Sequence, residues 1–464
     1  MTSAAIGERP AGADHPQDLS LREQARAIAT GELDATELLE ATLSRIGERD
    51  SELNSIVDRF ASESAQMLNE APEGPLHGVP VAVKDMFALP WRAPRDGSVG
   101  NVTGVEAGES AVYRRLRDAG AVVVGVTNMH EHGAGSTGHI SAYGPCGNPW
   151  DPARCGGGSS GGSAAAVGAR LVAGAVGTDG GGSIRYPAAY CGVTGLKLTW
   201  GLVPSDGYTH AYSSMSAPGP LCRDTGDTRL LAEALVGRPL EGRRAQRLRL
   251  GIVPDFWDDV DPEIAELCQA AVDELCEAGM AVTEVHLEGI EHARIATVLR
   301  LWLEDAAVVP PQAAREHEPD LSPIGRALSK YRSLIPAEAL VRADAVRATL
   351  RRSLVEAGTQ ADVLAWPTVA APAPSIEDTT VRLPSGPVPA DYANVRMGGI
   401  ANLTGAPALS APVGLTRAGL PAGLHLMTQW RDPERLLDVA ELLEQVTDRR
   451  HVNAVPPMAQ ATPV

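Results

Sequence analysis

Between Leu21 and Asn69 apolar residues recur at helical spacing, as at Leu38, Leu39, Leu43 and Ile46, and Thr36 stands where an N-cap would open that helix. The period then changes. Val79-Pro80-Val81-Ala82-Val83 is an unbroken apolar run of strand length, Ser110 to Ala119 reads as an amphipathic helix, and Ala121 to Val126 is a second apolar run. The alternation returns downstream, with a strand at Leu248 to Val253, a helix at Asp261 to Ala278 and a strand at Ala281 to Leu287. Continuous apolar strands interleaved with helices predict an α/β layer fold, whose large, mostly parallel sheet is covered on both faces. Further on, Glu291 to Ala357 is helical with a break at Pro310-Pro311, Ala370 to Pro389 reads as a proline-rich irregular loop, and Leu436 to Val446 is a C-terminal amphipathic helix.

Composition narrows the class. The 464 residues are 44% hydrophobic, enough to bury a large core, and no 20–50-residue repeat is present. The net charge of −18 argues against a phosphate-binding face, so no nucleic-acid partner is expected. No segment has the roughly 20 consecutive apolar residues of a membrane helix, and residues 1–16 lack an apolar signal core and read as a loose tail. The six cysteines form no CxxC pair, which points to reduced thiols in a cytoplasmic protein without a zinc or redox motif. Lysine occurs only at Lys84, Lys197 and Lys330 against many arginines. Only lysine can act as a base, since arginine does not deprotonate in proteins.

Three stretches carry chemistry. His77-Gly78-Val79-Pro80-Val81-Ala82-Val83-Lys84-Asp85 ends an apolar strand in a lysine, and burial there would favour the neutral amine, a usable base. Gly156-Gly157-Gly158-Ser159-Ser160-Gly161-Gly162-Ser163 sets serines among glycines that let the backbone approach a ligand closely. Thr178-Asp179-Gly180-Gly181-Gly182-Ser183-Ile184-Arg185 puts successive glycines before a serine, a pattern that can form a nest of backbone N–H donors. Each stretch alone is also compatible with a plain glycine-rich turn or a solvated lysine.

Together they resemble the amidase signature family, through Leu76 to Asp85, Ala119 to Met129, Asn148 to Ala165, Gly177 to Lys197, Pro218 to Leu231 and Asn402 to Gly423. The resemblance implies an amidase signature fold formed by one domain over residues 17–460, with a variable substrate-region segment at about 240–395. It also implies a Lys–Ser–Ser triad. Lys84 would be the base, Ser159 the bridging serine after a cis peptide bond, and Ser183 the nucleophile. The backbone N–H groups of Gly180, Gly181, Gly182 and Ser183 would hold the oxyanion, and Ser160, Asp179 and Arg185 would support the loops. Met129, His132 and Gly133 would line the pocket, with Tyr208, Tyr212, Trp302, Leu303 and Ala306 as further wall candidates. The sequence departs from the family pattern at Met86, Gly156, Gly180 and Leu198, which touches the substrate more than the reaction.

The implied function is hydrolysis of a C–N acyl bond, in an amide, anilide or carbamate of a small apolar or aryl substrate. No cofactor or metal is expected. A homodimer is a family-level expectation. The rival within the family is the A subunit of a glutamyl-tRNA amidotransferase, which works in a complex on a tRNA-bound substrate; Tyr186 stands where that protein usually has glutamine. Other readings fall short. Gly133 to Gly138 spells GxGxxG, a weak signal alone, with Arg154 near where a dinucleotide site needs its acidic residue and Asp151 beside it, and His130-Glu131-His132 lacks a third metal ligand. Gly157 to Gly161 spells GxSxG, with Asp362 and His425 following, but no strand precedes it.

Overall fold

The computed structural model describes residues 15–460 apart from 100, 102, 211–212, 243–244, 309–321, 324–325, 328–329, 331–333, 430–431 and 448–454. The expected tail therefore lies outside the described residues except at 15–16. The first two apolar runs become strands buried along their whole length, β2 (Pro80–Lys84) and β3 (Val122–Thr127), after the short β1 (Ile56–Arg59). A strand not expected from the sequence, β6 (Gly174–Asp179), is equally buried, whereas the two downstream runs become strands that are partly or largely exposed. Between β3 and β6, β4 (Gly147–Asn148) and β5 (Asp151–Cys155) make a small separate ladder. The chain continues with β7 (Thr194–Lys197), β8 (Ala217–Cys222), β9 (Arg249–Ile252), β10 (Ala281–Glu284) and β11 (Val363–Pro367). It ends with β12 (Thr380–Leu383), β13 (Gly386–Pro389), β14 (Ala408–Leu415) and β15 (Pro421–Met427).

Eleven of these form one sheet in the order β1-β3-β2-β6-β8-β7-β14-β15-β11-β9-β10. The expected α/β fold with a large mixed sheet flanked by helices is therefore present. Its ladders are parallel in two blocks, β3-β2-β6 and β11-β9-β10, and antiparallel through β8, β7, β14 and β15 between them. One apolar cluster runs from Leu21 to Leu443 across the sheet.

Two local expectations change. The helix Ala35–Arg49 is capped by Asp34 rather than Thr36, the Asp34 carboxylate accepting from the Thr36 and Glu37 N–H groups at 2.7 and 3.2 Å. The stretch read as an irregular loop contains a hairpin, β12 with β13. Val381 and Leu383 alternate inward while Thr380 and Arg382 face out, and the prolines sit in a two-stranded edge where a missing N–H costs little.

Parallel strands deliver their carboxyl ends to one edge, where clefts in open sheets form. Here that edge carries Lys84 from β2, Thr127 from β3 and Thr178-Asp179 from β6. The helix Gly161–Gly168 then packs so tightly on this edge that a Cβ at Gly162 would stand 2.4 Å from the Ser55 carbonyl and 2.5 Å from the Asn128 nitrogen. Glycine at that position lets the serine loop before it reach the strand ends.

Candidate active site

Lys84 is fully buried, and its Nζ donates to Ser159 Oγ at 2.6 Å and to Thr178 Oγ1 at 2.8 Å. The Gly158–Ser159 peptide bond is cis. Ser160 links the two serine loops. Its N–H donates to the Ser183 carbonyl at 3.1 Å, and its hydroxyl donates to the Thr178 carbonyl at 3.1 Å while accepting from the Thr178 N–H at 3.2 Å. Ser159, Thr178 and Ser183 open onto one cavity of about 420 Å³. The structure thus brings the lysine and both serines together. Thr178, which sequence reasoning passed over, holds the amine from the far side.

Asp179 organises the glycine loop. Its carboxylate accepts from the Gly182 N–H at 2.7 Å and the Ile184 N–H at 3.2 Å. The Gly182 N–H, expected among the oxyanion donors, is therefore occupied. The N–H groups of Gly180, Gly181 and Ser183 donate in no hydrogen bond among the described residues. Gly182 has φ +130°, and a Cβ there would stand 1.9 Å from the Tyr186 ring, so no other residue fits.

Arg185 closes this layer with all five of its N–H groups. It pairs with both Asp179 oxygens at 2.8 and 2.9 Å, and reaches Asn402 Oδ1 at 2.6 Å, the Gly398 carbonyl at 3.0 Å and His425 Nε2 at 2.7 Å. Burial by itself would raise the Asp179 carboxyl, but the Arg185 charge and its hydrogen bonds hold it well below the usual carboxylate range. Burial and the Arg185 charge push the His425 imidazole well down, so it is neutral and accepts through Nε2. Against expectation a strand, β5, does precede the GxSxG stretch, but Asp362 binds the Arg249 N–H at 2.9 Å, elsewhere in the sheet, so no Ser–His–Asp triad forms around Ser159.

Lys197 lies behind Asp179, fully buried, and donates to the Leu198 and Ala406 carbonyls at 3.2 and 2.8 Å. Burial pushes its ammonium down to about 7, with Asp179 pulling the other way. The unfolded chain keeps that proton to the ordinary lysine range. Between about 7 and about 10.5 the unfolded state therefore holds more protons, and stability should rise with pH; below about 7 both states are charged and the full cost is present. Urea midpoints at pH 7 and pH 9 should rise in wild type and stay level in Lys197→Met. Equal slopes in both proteins would refute this.

The cavity wall is largely apolar, and the helix Ile290–Val308 supplies much of its apolar part through Ile295, Val298, Leu299, Leu301 and Trp302. Tyr392 and Val395 face them from the helix Ala390–Thr404. Arg294, stacking over Tyr392 at 3.8 Å, and Asp391 also line the cavity, and Ser136, His210 and Ser216 add polar groups to those of Ser159, Thr178 and Ser183. Of the expected pocket residues, Gly133 lines the wall. Met129 is fully buried and absent from the lining, and His132 turns away to Asp96 at 3.1 Å. Trp302 is at the wall, whereas Leu303 and Tyr208 are not; Tyr208 bonds Ser216. Tyr212 and the Ala306 side chain lie outside the described residues. The GxGxxG stretch is a loop against the cavity and opens no helix, and Glu131 binds Ser98 Oγ at 2.9 Å.

Residues 37–437 match the family model described as Amidase. The glutamyl-tRNA(Gln) amidotransferase A subunit of Methylococcus capsulatus is 33% identical, over 92% of this chain and 97% of its own. A solved structure described as an amidase superposes with TM-score 0.85 at 30% identity, covering 92% of this chain and 99% of its own. The peptide amidase of Stenotrophomonas maltophilia superposes with TM-score 0.73 at 29% identity, covering 95% and 98%. The first of these relatives corrects an expectation. A protein of nearly the same length is one component of an enzyme named for glutamyl-tRNA, which overturns the expectation of a small-molecule substrate with no nucleic acid partner. Net acidity did not exclude this, because one member of a complex need not carry the phosphate-binding face itself. No helix among the described residues is long and apolar enough to cross a membrane.

Proposed function

Since the chain belongs to the amidase family, we propose that it cleaves a C–N acyl bond through an ester on Ser183, with an apolar acyl group seated against the helix Ile290–Val308. The bond from the buried Lys84 amine to Ser159 Oγ at 2.6 Å supports this most directly. A neutral Lys84 takes the Ser159 proton as Ser159 takes that of Ser183, and Ser183 attacks the carbonyl. The oxyanion forms against the N–H groups of Gly181 and Ser183, with Gly180 beside them. Ser159 returns a proton to the departing nitrogen, and water then hydrolyses the ester by the same relay. Amide, anilide and carbamate carbonyls all suit this sequence of steps. The lining supports the acyl preference, because a charged acyl group would lose its hydration against Val298, Leu301 and Val395.

A second reading has its own support: 33% identity across 97% of the length of a glutamyl-tRNA(Gln) amidotransferase A subunit. The comparisons favour it over a free-standing hydrolase. In that reading Ser183 does the same chemistry, and the nitrogen it releases passes to a tRNA-bound acceptor held with another protein of the complex.

The test uses the purified chain alone, with hexanoyl 4-nitroanilide or glutamine, each with hydroxylamine present. Hexanoyl hydroxamate together with nitroaniline release, and an alkyl fluorophosphonate label mapped to Ser183, would support the apolar-acyl reading. Turnover of glutamine alone, or only after glutamyl-tRNA and a partner protein are added, would replace it with the second. Labelling at another residue would defeat both.

A further inference from the structure

Resting on the acyl-Ser183 reading, we propose that Tyr186 is a positioning residue for the oxyanion: its phenol and its main chain together aim the N–H groups of Gly181 and Ser183 into the cavity. Tyr186 is 2% exposed, and its hydroxyl donates to the Gly181 carbonyl. Its own N–H donates to the Gly182 carbonyl at 2.8 Å. One residue thus anchors two successive carbonyls of the glycine loop.

The consequence follows from peptide planarity. In a trans peptide the N–H points opposite to the C=O. Holding the Gly182 carbonyl on the Tyr186 side therefore turns the Ser183 N–H away from it. The Gly181–Gly182 peptide is held at both ends, its carbonyl by the Tyr186 phenol and its N–H by Asp179 Oδ1 at 2.7 Å. Rotation of that plane would swing the adjoining Gly180–Gly181 peptide, which carries the Gly181 N–H. Glycine on each side makes such rotation cheap in the absence of an anchor. The ring itself occupies the space beside Gly182 and Gly398, where added Cβ atoms would come within 1.9 Å of Cζ and 2.3 Å of Oη respectively. The phenol thus has little room to move, and it lines the cavity beside Ser183.

Tyr186→Phe keeps the ring and the main-chain anchor and removes one carbonyl anchor. An interaction made only in the transition state changes kcat and leaves KM alone. We expect kcat on hexanoyl 4-nitroanilide to fall about 10-fold with KM within about 2-fold, a loss smaller than deletion of an oxyanion donor. A hexyl trifluoromethyl ketone, which forms a tetrahedral adduct on serine, should bind about 10-fold more weakly, by the same reasoning. Gly398→Ala gives an independent readout, since its Cβ would displace the phenol with the hydroxyl retained, and the same kcat loss is expected. Both variants are checked by circular dichroism, so that unfolding is recognised as such. Wild-type kcat and ketone affinity in folded Tyr186→Phe would overturn the proposal. So would a raised KM with unchanged kcat, which would make Tyr186 only a wall of the pocket. Full activity in Ser183→Ala would instead overturn the acyl-Ser183 reading on which the proposal rests, and the two failures are told apart by that control.

Discussion

Ser183→Ala should lower turnover by at least about ten-thousand-fold while leaving the fold and its melting temperature nearly unchanged. The first part follows from the site. Without the hydroxyl no acyl ester can form, and what remains is acceleration by the backbone donors of the glycine loop alone. The second part follows from the contacts. The Ser183 carbonyl, which accepts from Ser160, is a main-chain group and survives the substitution. Lys84→Met should cost a comparable amount, and the double variant should be little worse than either single one, because residues of one proton relay are not additive. Initial rates with matched circular dichroism decide it. Retention of a tenth of wild-type activity in Ser183→Ala would show that another group attacks the carbonyl.

Arg185→Met should cost about 3–5 kcal/mol of stability, because it leaves the Asp179 carboxylate buried without its charge partner. Both residues are fully buried, and every N–H of the guanidinium is used. The loss is therefore more than one ion pair: Asn402, the Gly398 carbonyl and neutral His425 also lose a donor. Arg185→Lys keeps the charge, but three N–H groups on one nitrogen cannot span acceptors that five held in a plane, so it should recover only part of the loss. Urea unfolding of the three proteins at neutral pH measures this. A difference below about 1 kcal/mol between wild type and Arg185→Met would mean that Asp179 takes up a proton or finds another partner.

The chemistry was more legible in the sequence than the shape of the pocket. Lys84, Ser159 and Ser183 each stand in a local pattern, a strand end or a glycine-flanked serine; each pattern alone also fits a solvated lysine or a plain turn, and only their joint resemblance to the amidase signature family gives them roles. Tyr186 sits just after such a pattern, yet its contact with Gly181 depends on how the loop folds back, which spacing does not reveal. The wall was harder still. Val298, Leu301 and Trp302 read as the buried face of any amphipathic helix, and only tertiary placement shows that their neighbour is a cavity. Met129 and His132 lie close to the site in sequence, but the fold buries Met129 outside the lining and turns His132 to Asp96. In the sheet, apolar runs identify β2 and β3 because burial on both faces leaves no alternation, whereas the equally buried β6 is interrupted by glycines and does not read as a strand. The antiparallel middle carries no such mark, since β8 and β14 are equally buried.

The wall and the reacting groups come from separate stretches of chain, and they meet most closely at Leu301. Its methyl groups would stand 2.9 Å from a Cβ at Gly181 and 3.3 Å from one at Gly180. The bare glycines therefore allow an apolar side chain to lie directly against the glycine loop before Ser183, so under the proposed mechanism size changes at Leu301 would disturb rate and selectivity together. Ile295, Val298 and Trp302 project from the same helix without that contact. Under the proposed mechanism, substitutions there would retune which acyl groups enter while the Lys84–Ser159 pair stays as it is, making one helical face a replaceable template on a fixed sheet.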